Sequence, residues 1–447
     1  MKKYDSYKNS QIEWIGDVPS HWESWKISHA FNRIGSGTTP ESGNPIYHEN
    51  GTINWLNTGD LNDGVLDSCS KKITTKALDD YSSLKLFPTG SLVMAMYGAT
   101  IGKTAILNFE TTTNQACCVF CDSSIIDLKF LQYWFIGNKE QIINLAIGGG
   151  QPNISQNILK DIRVWCPDYS EQGSLTNFLD HKTTQINDLI SKKEQFIQLL
   201  EEERVAVINQ SVTKGLDPTV LMKHSGIDWL GEIPKHWEVK KLKQIFNSSK
   251  GLTITKENLE SEGIPCVNYG EIHSKFGFEV DIDKHQLKCV NPTYLESDFK
   301  SLIQTGDFVF ADTSEDVSGA GNFTYLKSNH EIFAGYHTII LRALVDIESR
   351  YFAYQFDSIP YRTQIRQSVK GIKVFSITQG ILKNTSLWVP PIDEQKQIIE
   401  FLDIETNRIV SLKNSAIKEI ELLKEFKTAL ISEVVTGKID VRNEKLN

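Results

Sequence analysis

The stretch 168–217 occurs a second time at 391–440, 223 positions later and without a gap, so the chain is held to a fold that can be built twice. At that offset Trp165, Pro167, Glu171, Gln172, Phe178, Leu179, Asp180, Ile186, Leu189, Leu200, Val212, Thr213 and Asp217 meet Trp388, Pro390, Glu394, Gln395, Phe401, Leu402, Asp403, Ile409, Leu412, Leu423, Val435, Thr436 and Asp440. Each copy starts at a proline, after Pro167 or on Pro391, and then runs to its end without another. Apolar residues at Leu175, Phe178, Leu179, Ile186, Leu189, Phe196, Leu200 and Val207 keep the three-and-four spacing of a helix stripe. The second copy repeats it at Ile398, Phe401, Leu402, Ile409, Leu412, Leu423, Phe426 and Leu430. Both copies predict long amphipathic helices. A stripe this long points to a coiled-coil seam, and two related seams in one chain most simply pack on each other. The expected seam is Leu179, Ile186, Leu189, Phe196 and Leu200 against Leu402, Ile409, Leu412, Leu423 and Leu430; the alternative is two separate bundle helices. Some forty helical residues make a rod of roughly 60 Å.

With 447 residues, 40% hydrophobic and 10% aromatic, the chain has ample material for ordinary cores and a length suited to about three domains. The start, MKKYDSYKNS, has no apolar core and no run approaches about 18 apolar residues, so neither secretion nor a membrane span is expected and the chain is assigned to the cytoplasm. A net charge of -9 argues against a nucleic-acid partner until its location is considered. Residues 168–217 hold nine acidic against five basic side chains and residues 391–440 ten against seven, so the two helices carry -7 of the -9. The remainder is close to neutral, which leaves room for a locally basic cleft. The seven cysteines are an odd number in a chain of this kind, and no disulfide framework is expected. Cys118 and Cys121 have C-x-x-C spacing but lie in the apolar run ACCVFC with no second ligand pair, so they read as buried strand cysteines and no metal is expected.

A second repeat precedes each helix. Ser10, Trp14, Gly16, Pro19, His21, Trp22, Glu23 and Lys26 return as Ser225, Trp229, Gly231, Pro234, His236, Trp237, Glu238 and Lys241, now at an offset of 215. The stretch between matching ends therefore differs by eight residues in the two halves, as expected when the ends are scaffold and the middle is free to vary. His21 and His236 invite a catalytic reading, yet neither has a nucleophile or metal partner in the sequence, and both read as packing residues.

The first middle, about 33–163, is irregular and β-leaning. Its GSGTTP loop offers Ser36, Thr38 and Thr39 as small donors for phosphates or base edges, although such loops are usually turns. Tyr97 to Thr104 resembles a phosphate-binding P-loop, but Tyr97 stands where the first glycine should be and AILNF beyond it reads as a strand, so no nucleotide site is expected. Tyr97 and Lys103 suit a nucleic-acid backbone or groove, with a surface hairpin as the alternative. Gly149, Gln151 and Asn153 of GGGQPNIS combine close backbone approach with amides suited to adenine edges; the alternative is a loop entering a helix. The second middle, about 248–386, shares little sequence with the first. Its polar loops offer Asn268, Tyr269, Thr313, Ser314, Tyr336 and His337, and its basic stretch Arg362, Arg366, Lys370 and Lys373 fits phosphate contact or an ordinary solvated face.

The paired WIGDVPSHW and WLGEIPKHW starts, the GGGQPNIS loop, the WCPDYSEQ and WVPPIDEQ helix starts and the VTKGLD and VTGKID ends resemble the specificity subunit of type I restriction-modification enzymes over nearly the whole chain. The resemblance implies an α+β fold with a pseudo-two-fold internal repeat: two globular target-recognition domains, about 1–163 and 218–386, joined by two long antiparallel coiled-coil helices, 164–217 and 387–447. It implies that each domain reads one half of an asymmetric, bipartite site in double-stranded DNA, and that the helices act as spacer and dock methyltransferase subunits, two of them, which a restriction and translocase subunit joins. S-adenosylmethionine, ATP and Mg are then expected on partners and no cofactor in this chain. The residues agree: Asn291-Pro292-Thr293-Tyr294 lacks the second proline of an adenine-methylation tetrapeptide, and no G-x-G-x-x-G loop exists. No catalytic residue is assigned. Two other readings are a protein-interaction adaptor without DNA specificity and an enzyme in its own right.

Overall fold

The computed structural model describes residues 2–146, 153–369, 371 and 373–444. The chain divides into two compact units, Met1–Glu194 with Ile417–Asn447 and Gln195–Ala416, so the division runs through both long helices. Those helices are the expected pair, Tyr169–Lys214 with 46 residues and Ile392–Val435 with 44. At the start of the first, Asp168 accepts from the Glu171 amide at 2.9 Å, satisfying one of the free donors of the opening turn. Both end on a glycine in the left-handed region, Gly215 (φ 73°) and Gly437 (φ 69°), where a side chain is strained. None of the helices is long and apolar enough to cross a membrane, among the described residues.

Within each unit the two helices run antiparallel. In the first, Lys193 pairs with Glu419, and Lys427 donates to Asn187 at 3.0 Å. In the second, Lys413 pairs with Glu201, and Arg408 with Glu203 at 2.6 Å. The least exposed positions follow a strict heptad: Ile186, Ile190, Lys193, Ile197, Leu200, Arg204 and Val207 on one helix, Ile409, Lys413, Ala416, Ile420, Leu423, Lys427 and Leu430 on the other. This corrects the expected seam. Leu179, Ile186, Leu200, Leu402, Ile409 and Leu430 are buried and Leu423 is half-buried, but Leu189, Phe196 and Leu412 are 43%, 42% and 37% exposed. They sit one position before a seam residue, where a count of apolar residues puts them because it passes over the lysines. Lys193 and Lys413 lay their stems along the seam and carry the ammonium to a carboxylate on the facing helix.

The two middles, so different in sequence, build the same sheet. In the first unit its order is Arg33–Gly35, Cys117–Cys121, Leu92–Ala95, Thr104–Leu107, Gly64–Leu66; in the second, Phe246–Lys250, Thr338–Ala343, Phe308–Ala311, Phe323–Leu326, Glu279–Val280. Three antiparallel pairings and a final parallel one occur in both. A smaller sheet stands beside each, around Ile53–Leu56 and around Ile264–Val267. Strand Cys117–Cys121 is buried throughout, and burial pushes the Cys118 thiol up to about 12, so the C-x-x-C pair is inert core, as expected.

In each unit the repeated segment ahead of the sheet is clamped to a long helix by polar residues. Glu171, buried, accepts from Tyr4 Oη at 2.9 Å and Trp22 Nε1 at 3.3 Å and lies 2.9 Å from His21 Nε2; in the second unit His236 Nε2 lies 2.7 Å from Glu394. Both histidines thus hold a helix carboxylate while staying exposed to solvent. A short helix in each unit adds a matching clamp: Tyr133 donates to Asp180 at 2.8 Å with Lys129 alongside, and Tyr354 to Asp403 at 2.5 Å with Arg350 Nε at 2.6 Å.

The corrected seam predicts unequal costs of truncation. Leu200→Ala, at a side chain 3% exposed, should destabilise by about 2–5 kcal/mol, whereas Phe196→Ala should change stability by about 0.5 kcal/mol or less. Urea unfolding followed by helix circular dichroism measures both, and equal losses would return Phe196 to the seam.

Candidate nucleic-acid interface

Strand register decides where the polar loops lie. In the first unit Gly35 faces Val119, Ala95 faces Cys117 and Met94 faces Thr104, so the ends of two strands and the starts of two others share one sheet edge. Ser36, Thr38, Thr39, Tyr97 and Lys103 are brought together there. Thr39 donates to Gln115 Oε1 at 2.7 Å, the Gly37 amide to Thr113 Oγ1 at 2.9 Å, and Trp55 Nε1 to the Thr38 carbonyl at 3.2 Å. Asn153 joins them through a bridge with Tyr97, and the Ile154 amide donates to the Met96 carbonyl at 2.8 Å. The segment from Tyr97 to Lys103 turns between two strands, with Gly98 at φ 84° and Gly102 at φ 75°, so the P-loop likeness ends in a hairpin. Gly149 and Gln151 lie outside the described residues.

The second unit brings equivalent loops to the same edge. Thr313 and Ser314 pair with Ser376 and Phe375, and the Ile377 amide donates to the Asp312 carbonyl at 2.7 Å. Gly251 takes the place of Gly37: a Cβ there would lie 2.2 Å from the Gly335 carbonyl oxygen, as one at Gly37 would lie 1.8 Å from that of Thr113. Only glycine lets the first loop come so close to the neighbouring strand. Tyr269 packs edge-on against Tyr336 at 5.6 Å and His337 at 5.4 Å. Beside them opens a cavity of about 720 Å³ lined by Tyr269, His273, Thr313, Ser314, Glu315 and His337 among others.

Several candidates have partners within the fold. Asn268 is buried, its backbone amide and side chain both donating to Glu271, at 3.2 and 3.3 Å, which closes a cap. Ser314 is buried beneath its loop. Arg362 donates to Asp357 at 3.1 Å and Asn322 at 2.7 Å, and Arg366 to the Ser318 carbonyl at 2.7 Å, so the basic stretch braces the loop above it. Burial, then the neighbouring Arg362, holds the Arg366 pKa below its usual value. Lys373 is exposed, and Lys370 lies outside the described residues. Asn57-Thr58-Gly59-Asp60 and Gln115 also lie beside the first edge. The former is the counterpart of Asn268-Tyr269-Gly270-Glu271, with Asn57 N donating to Asp60 at 2.9 Å, and the signal was there: INWLNTGD and IPCVNYGE are each a strand followed by N-x-G-acid.

The edges offer hydroxyls, amides, rings and a few charges. No group of three His, Cys, Asp or Glu is placed to hold a metal among the described residues. The family model for the Type I restriction modification DNA specificity domain matches residues 19–199 and again 234–422. The chain belongs to that family, one copy of the domain starting in each unit, and its reading as a type I specificity subunit stands. A Methanocaldococcus jannaschii protein, the type I restriction enzyme MjaVIII specificity subunit, is 23% identical over 429 residues, which is 95% of each chain. The fold matches the HsdS subunit from Thermoanaerobacter tengcongensis with TM-score 0.57 at 14% identity, over 94% of this chain and 98% of that one. A chain from a structure on complex assembly and conformational transition of the type I R-M system gives TM-score 0.67 at 14% identity, over 94% and 99%.

The internal bonds of Arg362 carry a prediction. Arg362→Met should lower the unfolding midpoint and leave the salt dependence of DNA binding unchanged. A slope of log K against log salt reduced by about one would make Arg362 a phosphate contact instead.

Proposed function

We propose that this chain is the non-catalytic DNA-reading subunit of a type I restriction-modification complex and directs it to an asymmetric, bipartite site in double-stranded DNA, the loop edge of each unit reading one half-site. The single observation that carries this is that two units with the same sheet order gather their variable loops at the same edge, while the residues that clamp sheet to helix are repeated. A scaffold held constant beneath changing side chains is what reading two unlike sequences requires. Phosphate contacts from the loops position the duplex and side chains at base edges specify it. The helices act as spacer and as docking surface for methyltransferase subunits, two of them, with restriction and translocase subunits joining. Leu189, Phe196, Leu412 and Phe426, 43%, 42%, 37% and 50% exposed beside the seam, support such docking, since large apolar side chains in rows mark interaction sites. Methylation and cleavage, with S-adenosylmethionine, ATP and Mg, belong to those partners.

Exchange of residues 33–163 for those of another family member should change one half-site and leave the other, read from methylated bases in a host carrying the complete system. A change in both half-sites would end the modular reading. Insertion of one heptad after Gln195 and one after Lys418, which keeps the seam in register, should lengthen the unread gap and alter neither half-site. An unchanged gap would rule out the helices as spacer.

A further inference from the structure

The loop joining Phe308–Ala311 to Phe323–Leu326 carries two adjacent acids that the fold uses differently. Asp316 turns in on its own loop, accepting from Ser318 Oγ at 2.5 Å and the Gly319 amide at 2.7 Å, bonds that hold its carboxyl below the usual range. Glu315 is exposed, lines the cavity beside Tyr269 and His337, and makes no hydrogen bond or ion pair among the described residues. The loop is tied down on both sides of Glu315. Thr313 and Ser314 are paired in a strand ladder, the Thr313 carbonyl accepts from His273 Nε2 at 2.8 Å, the Ser318 carbonyl accepts from Arg366, and Asn322 from Arg362. A carboxylate held out on a rigid loop is repelled by phosphate. What a duplex offers it is the exocyclic amine of cytosine or adenine in the major groove, while guanine O6 and thymine O4 repel it. The matching loop of the first unit, from Tyr97 to Lys103, contains no acid.

We propose that Glu315 is a specificity-determining residue of the second unit, selecting one base pair of its half-site by accepting from an exocyclic amine, cytosine N4 or adenine N6. This rests on the DNA-reading function proposed above. The test uses the full chain assembled with its methyltransferase partners, as wild type, Glu315→Gln and Glu331→Gln, the last an exposed acid at the far end of strand Ile332–Ala334. Each competes for duplexes carrying all four base pairs at every position of the methylated site. At one position of the second half-site the wild type should prefer an amine-bearing base by roughly ten- to a hundredfold, the discrimination of one base-edge contact. Glu315→Gln should lose that preference and keep the first half-site, and Glu331→Gln should behave as wild type; the preferred base tells which amine is read. Three results overturn the proposal: every preference retained, equally tighter binding to all duplexes including random ones, or a uniform loss together with a lower unfolding midpoint. A wild type without any sequence preference would instead overturn the DNA-reading function itself.

Discussion

Everything above the helices depends on how a β domain is seated on one, and Gln172 and Gln395 do that seating. Both are buried in the first turn of a long helix. Gln172 donates to the Ile125 carbonyl at 2.8 Å and the Pro167 carbonyl at 2.9 Å and accepts from the Asp127 amide at 2.7 Å; Gln395 donates to the Pro390 carbonyl at 2.9 Å and accepts from the Glu348 amide at 3.1 Å. A buried amide left unpaired costs about 1–3 kcal/mol, so the bonds admit one orientation of domain on helix. In each unit the accepted amide belongs to the residue capping a short helix, Leu128–Gly137 or Ser349–Asp357, which in turn reaches the long helix again at Asp180 or Asp403. Two fixed points on one rod define the direction in which the sheet edge faces.

That arrangement separates what must stay from what can change. The clamps, the glycine stops and the buried tryptophans Trp22 and Trp237 recur in both halves. Equivalent positions of the edge loops carry different side chains in the two units: Tyr97 against Thr313, Gln115 against Tyr336, Lys103 against Asn322. A new loop sequence can therefore be accepted without disturbing the sheet, provided a glycine remains where Gly37 and Gly251 pass the neighbouring strand.

The sequence made the existence and starts of the helices legible, because a repeat of fixed offset and an apolar stripe both report on them, while each repeat runs on past its helix end at Lys214 or Val435. Their seam was legible only in part. Lys193, Arg204, Lys413 and Lys427 hold seam positions, and an apolar count slides to Leu189, Phe196 and Leu412 instead. The common sheet of the two middles was hidden, since a buried strand accepts many apolar sequences: CCVFC and TIILRA occupy equivalent places. Among candidate residues, Thr38, Thr39, Tyr97, Tyr269 and His337, read from turn-like loops, lie at the sheet edges, whereas the tie of Arg362 to Asp357 was hidden because periodic cations on a helix look the same whether they face solvent or an internal carboxylate.

If two like edges read two separate stretches of one duplex, as proposed, each should leave its own mark on the DNA. Hydroxyl-radical footprinting of the full chain with its methyltransferase partners, on a duplex bearing the methylated site, tests it most directly. Two protected stretches of unlike sequence are expected, separated by a gap whose bases can be replaced without loss of protection. One continuous stretch in which every base matters, or protection equal on a random duplex, would contradict it.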